Sequence, residues 1–495
     1  MADYSLVDYS QARRSGGGVV GFVGRSREIR ELQGQLDVVR AGTRADAGVA
    51  VLIRGRRRVG KSRLVAEFVE RSGLPSVTFQ AAKGTPLVQE LALLAETIAH
   101  SDLPDADTAR DIAPASLTAA LTLLAAALPD DTPSIVVLDE IPWLLEHVPG
   151  GAGELQRVWD SRLSRKPVLL LLLGSDLAMM ERLTAPDQPF YARGTELVLD
   201  PLTPAEVGAM CGLAPFDAVD AYLITGGLPL VAQEWQHGAT PDDFLLRSFA
   251  SSTSALVVSG ARVLDAEFAE GTVARQVLAA IGGRGERTFS GIQNAARGAP
   301  LNAATLSSTL AVLIDKRIVA ADEPLSTASA PKNRRYRIAD PALRFWLAFV
   351  EPALGEVDRA RPDLAMARVE RGFATWRGRA VEPVVRSALR RLLPDETWPD
   401  VTAVGGWWPR SNRPEVDLVG TSGAPGPVRL VGTVKWRADG PLRAAECDAL
   451  AADATAVPGV SVATPLVAVC PGGAEPGLPL AATWTADDLL AAWPS

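Results

Sequence analysis

The segment GRRRVGKS, residues 55–62, combines two glycines, a lysine and a serine at a fixed spacing. Gly55 and Gly60 let the backbone curl so that successive N–H groups face one anion. Lys61 would reach the outer phosphates of a nucleotide, and the Ser62 hydroxyl would coordinate Mg²⁺. A helical pattern begins at Lys61, so its positive end adds to the same site. The pattern predicts a P-loop that binds ATP and Mg²⁺ through Gly55, Arg56, Arg57, Arg58, Val59, Gly60, Lys61, Ser62 and Arg63.

Acidic or polar residues end two apolar runs farther along the chain. SIVVLDE closes with Asp139 and Glu140, and PVLLLLLGS closes with Ser175. We expect Asp139 at the tip of the strand beside the P-loop strand, where it would hold Mg²⁺ through water. Glu140 would then polarise the attacking water as general base. Ser175 either senses the γ-phosphate or caps the next helix, and a buried strand that merely ends in acids is the alternative for the first pair.

These residues require a parallel sheet to bring them together. Between residues 21 and 205, short apolar runs alternate with longer helical patterns, which is typical of an α/β domain. The predicted strands are 49–54, 76–80, 134–140, 167–175 and 195–202. We expect their carboxyl ends to form the nucleotide site.

Composition places limits on the function. A chain of 495 residues is too long for one core, and 47% hydrophobic with 22% charged residues is ordinary for a soluble protein. The net charge of −8 argues against a protein that coats nucleic acid, although arginines cluster locally. The three cysteines and three histidines lack disulfide or zinc spacing, and neither a secretory signal nor a membrane-spanning run is visible. We expect a cytoplasmic protein without a membrane partner.

Three further segments resemble the archaeal-type ATPase family, a STAND- and AAA+-like group of P-loop proteins. FVGRSREIREL is similar to the family's GR box, and YLITGGLPLVAQEW is similar to its GGxP element. PFYARGTELVLDPLTPAEV resembles a further run of the same family. The resemblance implies an ASCE-type core with a helical lid. It implies that Gly24 and Arg25 contact the base side of the nucleotide and that Arg193 senses or stabilises the γ-phosphate. The alternative for Arg193 is an exposed loop arginine.

The segment after the lid has the order helix, helix, helix and strand pair. LSSTLAVLIDKRIV suits a recognition-type helix, and the resembled family carries a winged helix-turn-helix here. The residues that would meet DNA phosphates from the helix or the wing are Thr305, Ser307, Ser308, Thr309, Arg334 and Arg335. Because the helix has few arginines, a packing module or a protein-binding surface is an equal alternative.

The last segment carries a glutamate in a helix, an aspartate on one strand and a lysine on the next. Glu382, Asp417 and Lys435 occupy these positions, which match the order of the PD-(D/E)xK nuclease core that often ends this family. The carboxylate expected two residues before the lysine is replaced by Thr433. A neutral hydroxyl is a poor substitute for an anionic Mg²⁺ ligand.

Three interpretations of this segment follow. In an active nuclease, Glu382 or Glu415 would supply the missing ligand. In a degenerate nuclease fold, the shape would serve nucleic-acid or protein binding, and this is the interpretation we adopt. The third is an unrelated α/β tail with a surface lysine. The tryptophans either stack on bases or belong to the core, and they are Trp407, Trp408 and Trp436.

The sequence therefore predicts an α/β P-loop NTPase with a helical lid, a winged helix-turn-helix and a restriction-endonuclease-like α/β domain. The predicted boundaries are a tail at 1–20, a P-loop core at 21–205, a lid at 206–265, a winged helix at 266–350 and a nuclease-like domain at 365–495. We expect Mg²⁺-dependent ATP hydrolysis coupled to a conformational change on DNA. The alternatives are a slow STAND-type switch or scaffold acting on a protein partner, and an active nuclease. A homo-oligomer is compatible with each.

Overall fold

The structure is a computed structural model that describes residues 22–42, 47–175, 177–186, 188–268, 272–295 and 301–493. The predicted tail at 1–20 lies outside these ranges. The chain divides into two compact units. The P-loop unit comprises Arg25–Leu202 with Leu228–Leu230, and the C-terminal unit comprises Thr203–Gly227 and Val231–Pro494 together with Gly24.

A five-stranded parallel sheet forms the centre of the P-loop unit, in the order β2-β3-β4-β1-β5. Its strands are β1 (Val49–Arg54), β2 (Ser76–Gln80), β3 (Ser134–Asp139), β4 (Val168–Gly174) and β5 (Gly194–Val198). Every residue of β3 and β4 is buried, as expected for aliphatic runs covered on both faces. The fifth strand ends at Val198 and not at 202. One reason is that Pro201 has no N–H to extend the ladder.

Helices connect these strands. They are α1 (Ser26–Ala41), α2 (Lys61–Ser72), α3 (Leu87–Ala99), α4 (Leu117–Ala127), α5 (Ile141–Glu146), α6 (Gly151–Ser161) and α7 (Leu177–Thr184). Apolar side chains of helices α3 to α7 and of strands β1 to β4 form one continuous core. This core fixes the strand ends that carry the polar residues.

The C-terminal unit begins with helices. They are α8 (Pro204–Cys211), α9 (Pro215–Thr225), α10 (Pro229–Ala232), which starts in the P-loop unit, α11 (Pro241–Phe249) and α12 (Ala255–Glu267). Thr203 caps α8 through a capping box with Glu206. Among the described residues no single helix is long and apolar enough to cross a membrane, and one bent pair, α8 with α9, passes by length and composition.

A small antiparallel sheet with three helices follows. Its strands lie in the order β6-β8-β7. The elements are α13 (Val273–Ile281), β6 (Arg287–Thr288), α14 (Phe289–Ala295), α15 (Ala303–Asp315), β7 (Val319–Asp322) and β8 (Arg335–Ile338). Helix α16 (Pro341–Phe345) continues into a π-helical turn, Trp346–Val350, and α17 (Leu354–Asp358) and α18 (Pro362–Glu370) lead to the last segment.

The last segment is a mixed five-stranded sheet in the order β13-β12-β11-β10-β9. It comprises α19 (Phe373–Leu392), β9 (Ala403–Trp407), β10 (Val416–Thr421), β11 (Val428–Val434), α20 (Ala444–Ala454), β12 (Leu466–Val469), β13 (Ala482–Trp484) and α21 (Ala486–Leu490). Strand β10 is antiparallel to both β9 and β11, whereas β11, β12 and β13 are parallel. The chain order is therefore helix, three strands, helix, two strands and helix.

Candidate functional site

The loop between β1 and α2 requires its glycines. A Cβ on Gly55 would lie 2.4 Å from the carbonyl oxygen of Leu199, which is backbone and cannot move aside easily. Gly60 has a φ of 93°, in the region that side chains disfavour. The proline of the GGLP segment belongs to the same unit, and its Cγ would lie 3.5 Å from a Cβ on Gly60. The loop is tight at both glycines: Gly55 has no room for a side chain, and Gly60 has a backbone conformation that side chains disfavour.

Lys61 is buried at the start of α2, and its ammonium donates to the carbonyl oxygens of this loop. The distances from Nζ are 2.8 Å to Gly55 O and 3.2 Å to Arg56 O. Burial lowers the pKa of Lys61, and the carboxylates of Glu140 and Asp139 oppose that shift. The charged ammonium therefore points along the loop that would surround a phosphate.

Ser62, near the start of α2, contacts Asp139, at the end of β3, although the strand before α2, β1, is not a neighbour of β3. Ser62 Oγ donates to Asp139 Oδ2 at 2.6 Å, and Asp139 Oδ1 accepts from the Glu140 backbone N–H at 2.8 Å. Burial raises the pKa of Asp139, and the hydrogen bond from Ser62 opposes that shift. A hydroxyl and a carboxylate are oxygen donors of the kind that Mg²⁺ prefers, so this pair fits a bound magnesium ion.

The predicted position of Asp139 beside the P-loop strand is wrong, because β4 lies between β3 and β1. The inserted strand places Ser175 between the loop and the acids. Ser175 N–H donates to Glu140 Oε2 at 3.2 Å, and Arg57 Nε donates to Ser175 Oγ at 3.3 Å. A chain of contacts thus runs from the P-loop through the end of β4 to Glu140.

One residue near this site, Gln80, and one contact, that of Arg57 with Ser175, were not identified from the sequence, although Arg57 itself was predicted as part of the P-loop. Gln80 ends β2 directly opposite Asp139, and the Arg57 side chain contacts Ser175. The rule that identified Asp139, a polar residue at the end of a strand, also applies to Gln80. The contact of Arg57 depends on strand order, so no local signal predicted it.

Arg25 supports the P-loop from behind. It is buried, its Nη2 donates to the carbonyl oxygen of Val59 at 2.9 Å, and its Nη1 lies 3.4 Å from Glu28 Oε1. The preceding Gly24 has a φ of 79°, and a Cβ there would lie 2.7 Å from Glu206 Oε1. Arg25 therefore has a structural role in positioning the loop, and the base contact that the resemblance implies for Gly24 and Arg25 stays a prediction.

Arg193 lies at the surface in a paired arrangement. Its Nε and Nη2 donate to the two carboxylate oxygens of Asp160 at 2.8 and 2.9 Å, and its Nη1 donates to Pro189 O at 3.0 Å. The hydrogen bond to Asp160 is the main reason that the pKa of Arg193 is raised. The structure thus places Arg193 against α6, and its predicted phosphate-sensing role stays a prediction.

The residues predicted from the nuclease pattern lie close together around an arginine. Asp417 Oδ2 accepts from Thr433 Oγ1 at 2.8 Å and from the Val434 N–H at 2.9 Å. Arg386 Nη2 donates to Glu382 Oε2 at 2.8 Å, and Arg386 Nε donates to the backbone carbonyl of Asp417 at 3.0 Å. Burial raises the pKa of Glu382 to about 8, although Arg386 opposes the shift. A guanidinium therefore lies beside these acids.

Lys435 and Glu415 interact with residues outside this group: Lys435 acts on Glu446 through its charge, and Glu415 pairs with Arg335. The pKa of Glu446 is lowered to about 2, first by its hydrogen bond with Arg437 and to a smaller extent by the charge of Lys435. Glu415 Oε1 pairs with Arg335 Nη1 at 2.5 Å. Across the described ranges, no group of three or more His, Cys, Asp or Glu side chains is arranged to hold a metal ion.

The structure exposes most of the predicted DNA-contacting residues: Thr305, Ser307, Ser308 and Arg334 are exposed, Thr309 is half-buried and Arg335 is buried. Arg335 was expected on a wing, but it is buried at the start of β8 between Glu415 and Glu286, so it cannot reach a phosphate. Arg334 Nε donates to Glu323 Oε1 at 2.6 Å. The hydroxyls of Ser308 and Thr309 donate to a backbone carbonyl of their own helix. The three tryptophans are buried and belong to the core, as one of the two interpretations held: Trp407, Trp408 and Trp436.

Comparison with known proteins gives two family matches. Residues 21–158 match the model of the AAA ATPase domain, and residues 346–450 match a family described as "Archaea bacterial proteins of unknown function". An uncharacterized protein of Methanocaldococcus jannaschii is 24% identical over 425 residues, which cover 84% of this chain and 88% of that protein.

Two solved structures are similar in part. The Walker-type ATPase of Pyrococcus abyssi shares 19% identity with a TM-score of 0.46, covering 66% of this chain and 96% of that chain. The Aeropyrum pernix ORC2 protein in its ADPNP–ADP complexes shares 16% identity with a TM-score of 0.41, covering 70% and 97%. Both TM-scores are below 0.5, so these similarities do not indicate the function of this chain. The P-loop unit carries an AAA ATPase domain with a parallel α/β sheet.

Proposed function

We propose that the P-loop unit binds ATP and hydrolyses it in a Mg²⁺-dependent reaction. The observation that carries this proposal is the convergence of Ser62, Asp139 and Glu140 at the end of the P-loop, with Ser62 Oγ 2.6 Å from Asp139 Oδ2. A P-loop alone would support nucleotide binding. The addition of a carboxylate pair beside its hydroxyl supports turnover.

Each residue of the site has a proposed task. The N–H groups of the loop and the Lys61 ammonium bind the phosphates, and Lys61 exchanges its contacts with Gly55 O and Arg56 O for phosphate oxygens. Ser62 and Asp139 would hold Mg²⁺, and the ion would supply positive charge beside the phosphates when bound. Glu140 orients the attacking water and accepts its proton at the carboxylate.

Glu140 must leave one contact to do so. Its Oε2 accepts the Ser175 N–H at 3.2 Å, and Ser175 Oγ accepts from Arg57 in the P-loop. Because a phosphate in the loop would attract the Arg57 guanidinium, nucleotide binding would loosen the link to Ser175. Arg57 and Ser175 are therefore proposed as positioning residues for Glu140.

The binding step is tested with Lys61→Ala, measured by titration calorimetry with Mg-ATP. The proposal expects the variant to lose measurable ATP binding, because the removed ammonium is the charge nearest the outer phosphates. Lys83→Ala is a matched control, since Lys83 lies over the ring of Trp143 and outside the P-loop. Wild-type affinity in Lys61→Ala would remove the site assignment.

The target of the conformational change is proposed to be DNA, with a protein partner as the alternative. We further propose that the segment at 365–495 is a nuclease-like domain that does not cleave, supported by its chain order and by Arg386 beside Glu382. The full-length chain should not cleave duplex DNA with Mg²⁺ or Mn²⁺. Cleavage that is abolished by Asp417→Ala would overturn that part of the proposal.

A further inference from the structure

An arginine-lined groove lies within the C-terminal unit, away from the helix predicted to read DNA. It consists of two adjoining cavities of about 970 and 1090 Å³ that share Glu286, Arg287 and Arg379 in their linings. Arg287 belongs to β6, Arg379 to α19, and Arg413 to the loop between β9 and β10. Three separate elements thus bring guanidinium groups to one groove.

The charges of these three arginines are available to a ligand. Arg287, Arg379 and Arg413 are exposed, and none forms an ion pair with any residue in the described ranges. Other arginines of the C-terminal unit form ion pairs with carboxylates, and Arg335 and Arg386 are examples. In a chain of net charge −8, three exposed and unpaired guanidiniums at one groove form a local site for an anion.

The groove is also built on a fixed floor. Arg335 is buried beneath it, pairs with Glu415 and Glu286, and lies 4.3 Å from the ring of Trp408. It also donates to Asn412 Oδ1 at 3.2 Å from Nη2. The loop that carries Arg413 is therefore held on both sides, which reduces the entropy lost when a ligand binds.

The lining favours a sugar-phosphate backbone over a base or a small anion. Hydroxyl and amide groups of Thr288 and Asn412 stand beside the arginines, and groups of this kind donate to phosphate oxygens, whereas Ser411 Oγ donates to the carbonyl oxygen of Arg413 at 3.0 Å. Aromatic side chains, on which bases stack, are absent from the described lining of both cavities.

By contrast, helix α15 is poorly equipped for this task. The helix, AATLSSTLAVLID, contains no arginine or lysine, and its exposed surface includes Val312 and Ile314 beside hydroxyl groups; the basic residues Lys316 and Arg317 lie only after its end. We propose that the groove formed around Arg287, Arg379 and Arg413 binds the phosphodiester backbone of a nucleic acid without sequence specificity. This inference rests on the DNA-associated form of the proposed function, and it moves the contact surface from α15 to the groove.

The test uses the full-length chain and fluorescence anisotropy with labelled duplex DNA, single-stranded DNA and RNA over a salt series. The triple variant Arg287→Ala, Arg379→Ala, Arg413→Ala removes three phosphate contacts. For duplex DNA each contact contributes about 0.9 to the slope of log K against log salt. The slope should therefore fall by about 3, and affinity at 0.1 M salt should drop on the order of 10²-fold.

The matched control is Arg30→Ala, Arg157→Ala, Arg262→Ala, which removes the same charge from exposed arginines outside the groove. Its affinity should stay within about twofold of the parent, because distant exposed charges are screened. Equal losses in the two triple variants, or unchanged binding in the groove variant, would overturn the proposal. So would a parent chain that binds none of the three nucleic acids.

A gain-of-binding variant provides a second readout that impaired folding would not mimic. Asp453 lines the same groove as a carboxylate that would repel phosphates. Asp453→Asn should tighten duplex binding several-fold, and unchanged or weaker binding would contradict the assignment. Displacement of DNA by poly-glutamate as readily as by unlabelled DNA would indicate an acidic protein as the partner and would also overturn it. ATPase rates without nucleic acid should be equal in all variants, so failure of this inference is separate from failure of the ATPase proposal.

Discussion

Arg386→Met is expected to destabilise the C-terminal unit strongly. Arg386 is buried, its Nη2 lies 2.8 Å from Glu382 Oε2, and a Cβ on Gly406 would lie 2.4 Å from that same nitrogen. Strand β9 therefore uses a glycine where the guanidinium needs space. At a pH above the pKa of Glu382, removing one partner of this buried ion pair costs about 3–5 kcal/mol, because the other charge is left uncompensated.

The magnitude also depends on pH. Burial raises the folded-state pKa of Glu382 from 4.5 to about 8. Since the folded protein then binds this proton more tightly than the unfolded chain, the contribution of Glu382 to stability is greatest below pH 4.5 and is lost as the pH rises through about 8. Arg386 opposes the rise in pKa, so Arg386→Met should make this pH dependence steeper, and Glu382→Gln should remove it.

Urea unfolding followed by tryptophan fluorescence measures these changes in the free energy of unfolding. Arg391→Met is the matched control on the same helix, because Arg391 is exposed, and it should change stability by only about 0.5 kcal/mol. The double variant Glu382→Gln, Arg386→Met should be more stable than Arg386→Met alone, since a neutral amide needs no cation. The reasoning is refuted if Arg386→Met costs no more than Arg391→Met, or if the double variant shows no recovery.

Three further predictions concern the P-loop and the lid. Gly55→Ala should abolish ATP binding in calorimetry, because its Cβ would lie 2.4 Å from Leu199 O, and near wild-type affinity would contradict the close contact. Arg57→Ala should keep ATP affinity within a few-fold but lower turnover about tenfold, since it acts through its contact to the end of β4. An unchanged phosphate-release rate would remove that role. Burial raises the pKa of Asp220 from 3.8 to about 6 although Arg377 opposes it, so stability should fall as pH rises between these values. Asp220→Asn should flatten this dependence in urea titrations at pH 4 and pH 7, and an unchanged slope would contradict it.

Much of the P-loop unit was predictable because its signals are local. Five apolar runs correspond to the five strands of the parallel sheet, and the glycine and lysine spacing at 55–62 corresponds to the loop itself. Strand order is not local, because it depends on how crossovers pack on the sheet. This is why the sequence misplaced Asp139 beside β1 and did not identify the contact between Arg57 and Ser175.

Pairing of charged residues was the second limit. Arg335 was expected on a wing facing DNA. It is buried because it pairs with Glu286 and Glu415, which are both distant from it in the sequence. The meeting of Glu382 with Arg386 and of Asp417 with Thr433 likewise depends on tertiary structure. The order of elements in the last segment was predictable from the sequence. The sequence did not predict that the cation beside Glu382 is Arg386.

The most direct test of the account is turnover by Glu140→Gln. Phosphate release with Mg-ATP should fall about 10²–10⁴-fold, because the variant loses the general base, while calorimetry should show ATP affinity close to that of the parent. Glu146→Gln, an exposed change at the end of the following helix, should retain the parent rate. The same phosphate-release rate in Glu140→Gln and in the parent would contradict the proposed ATPase site.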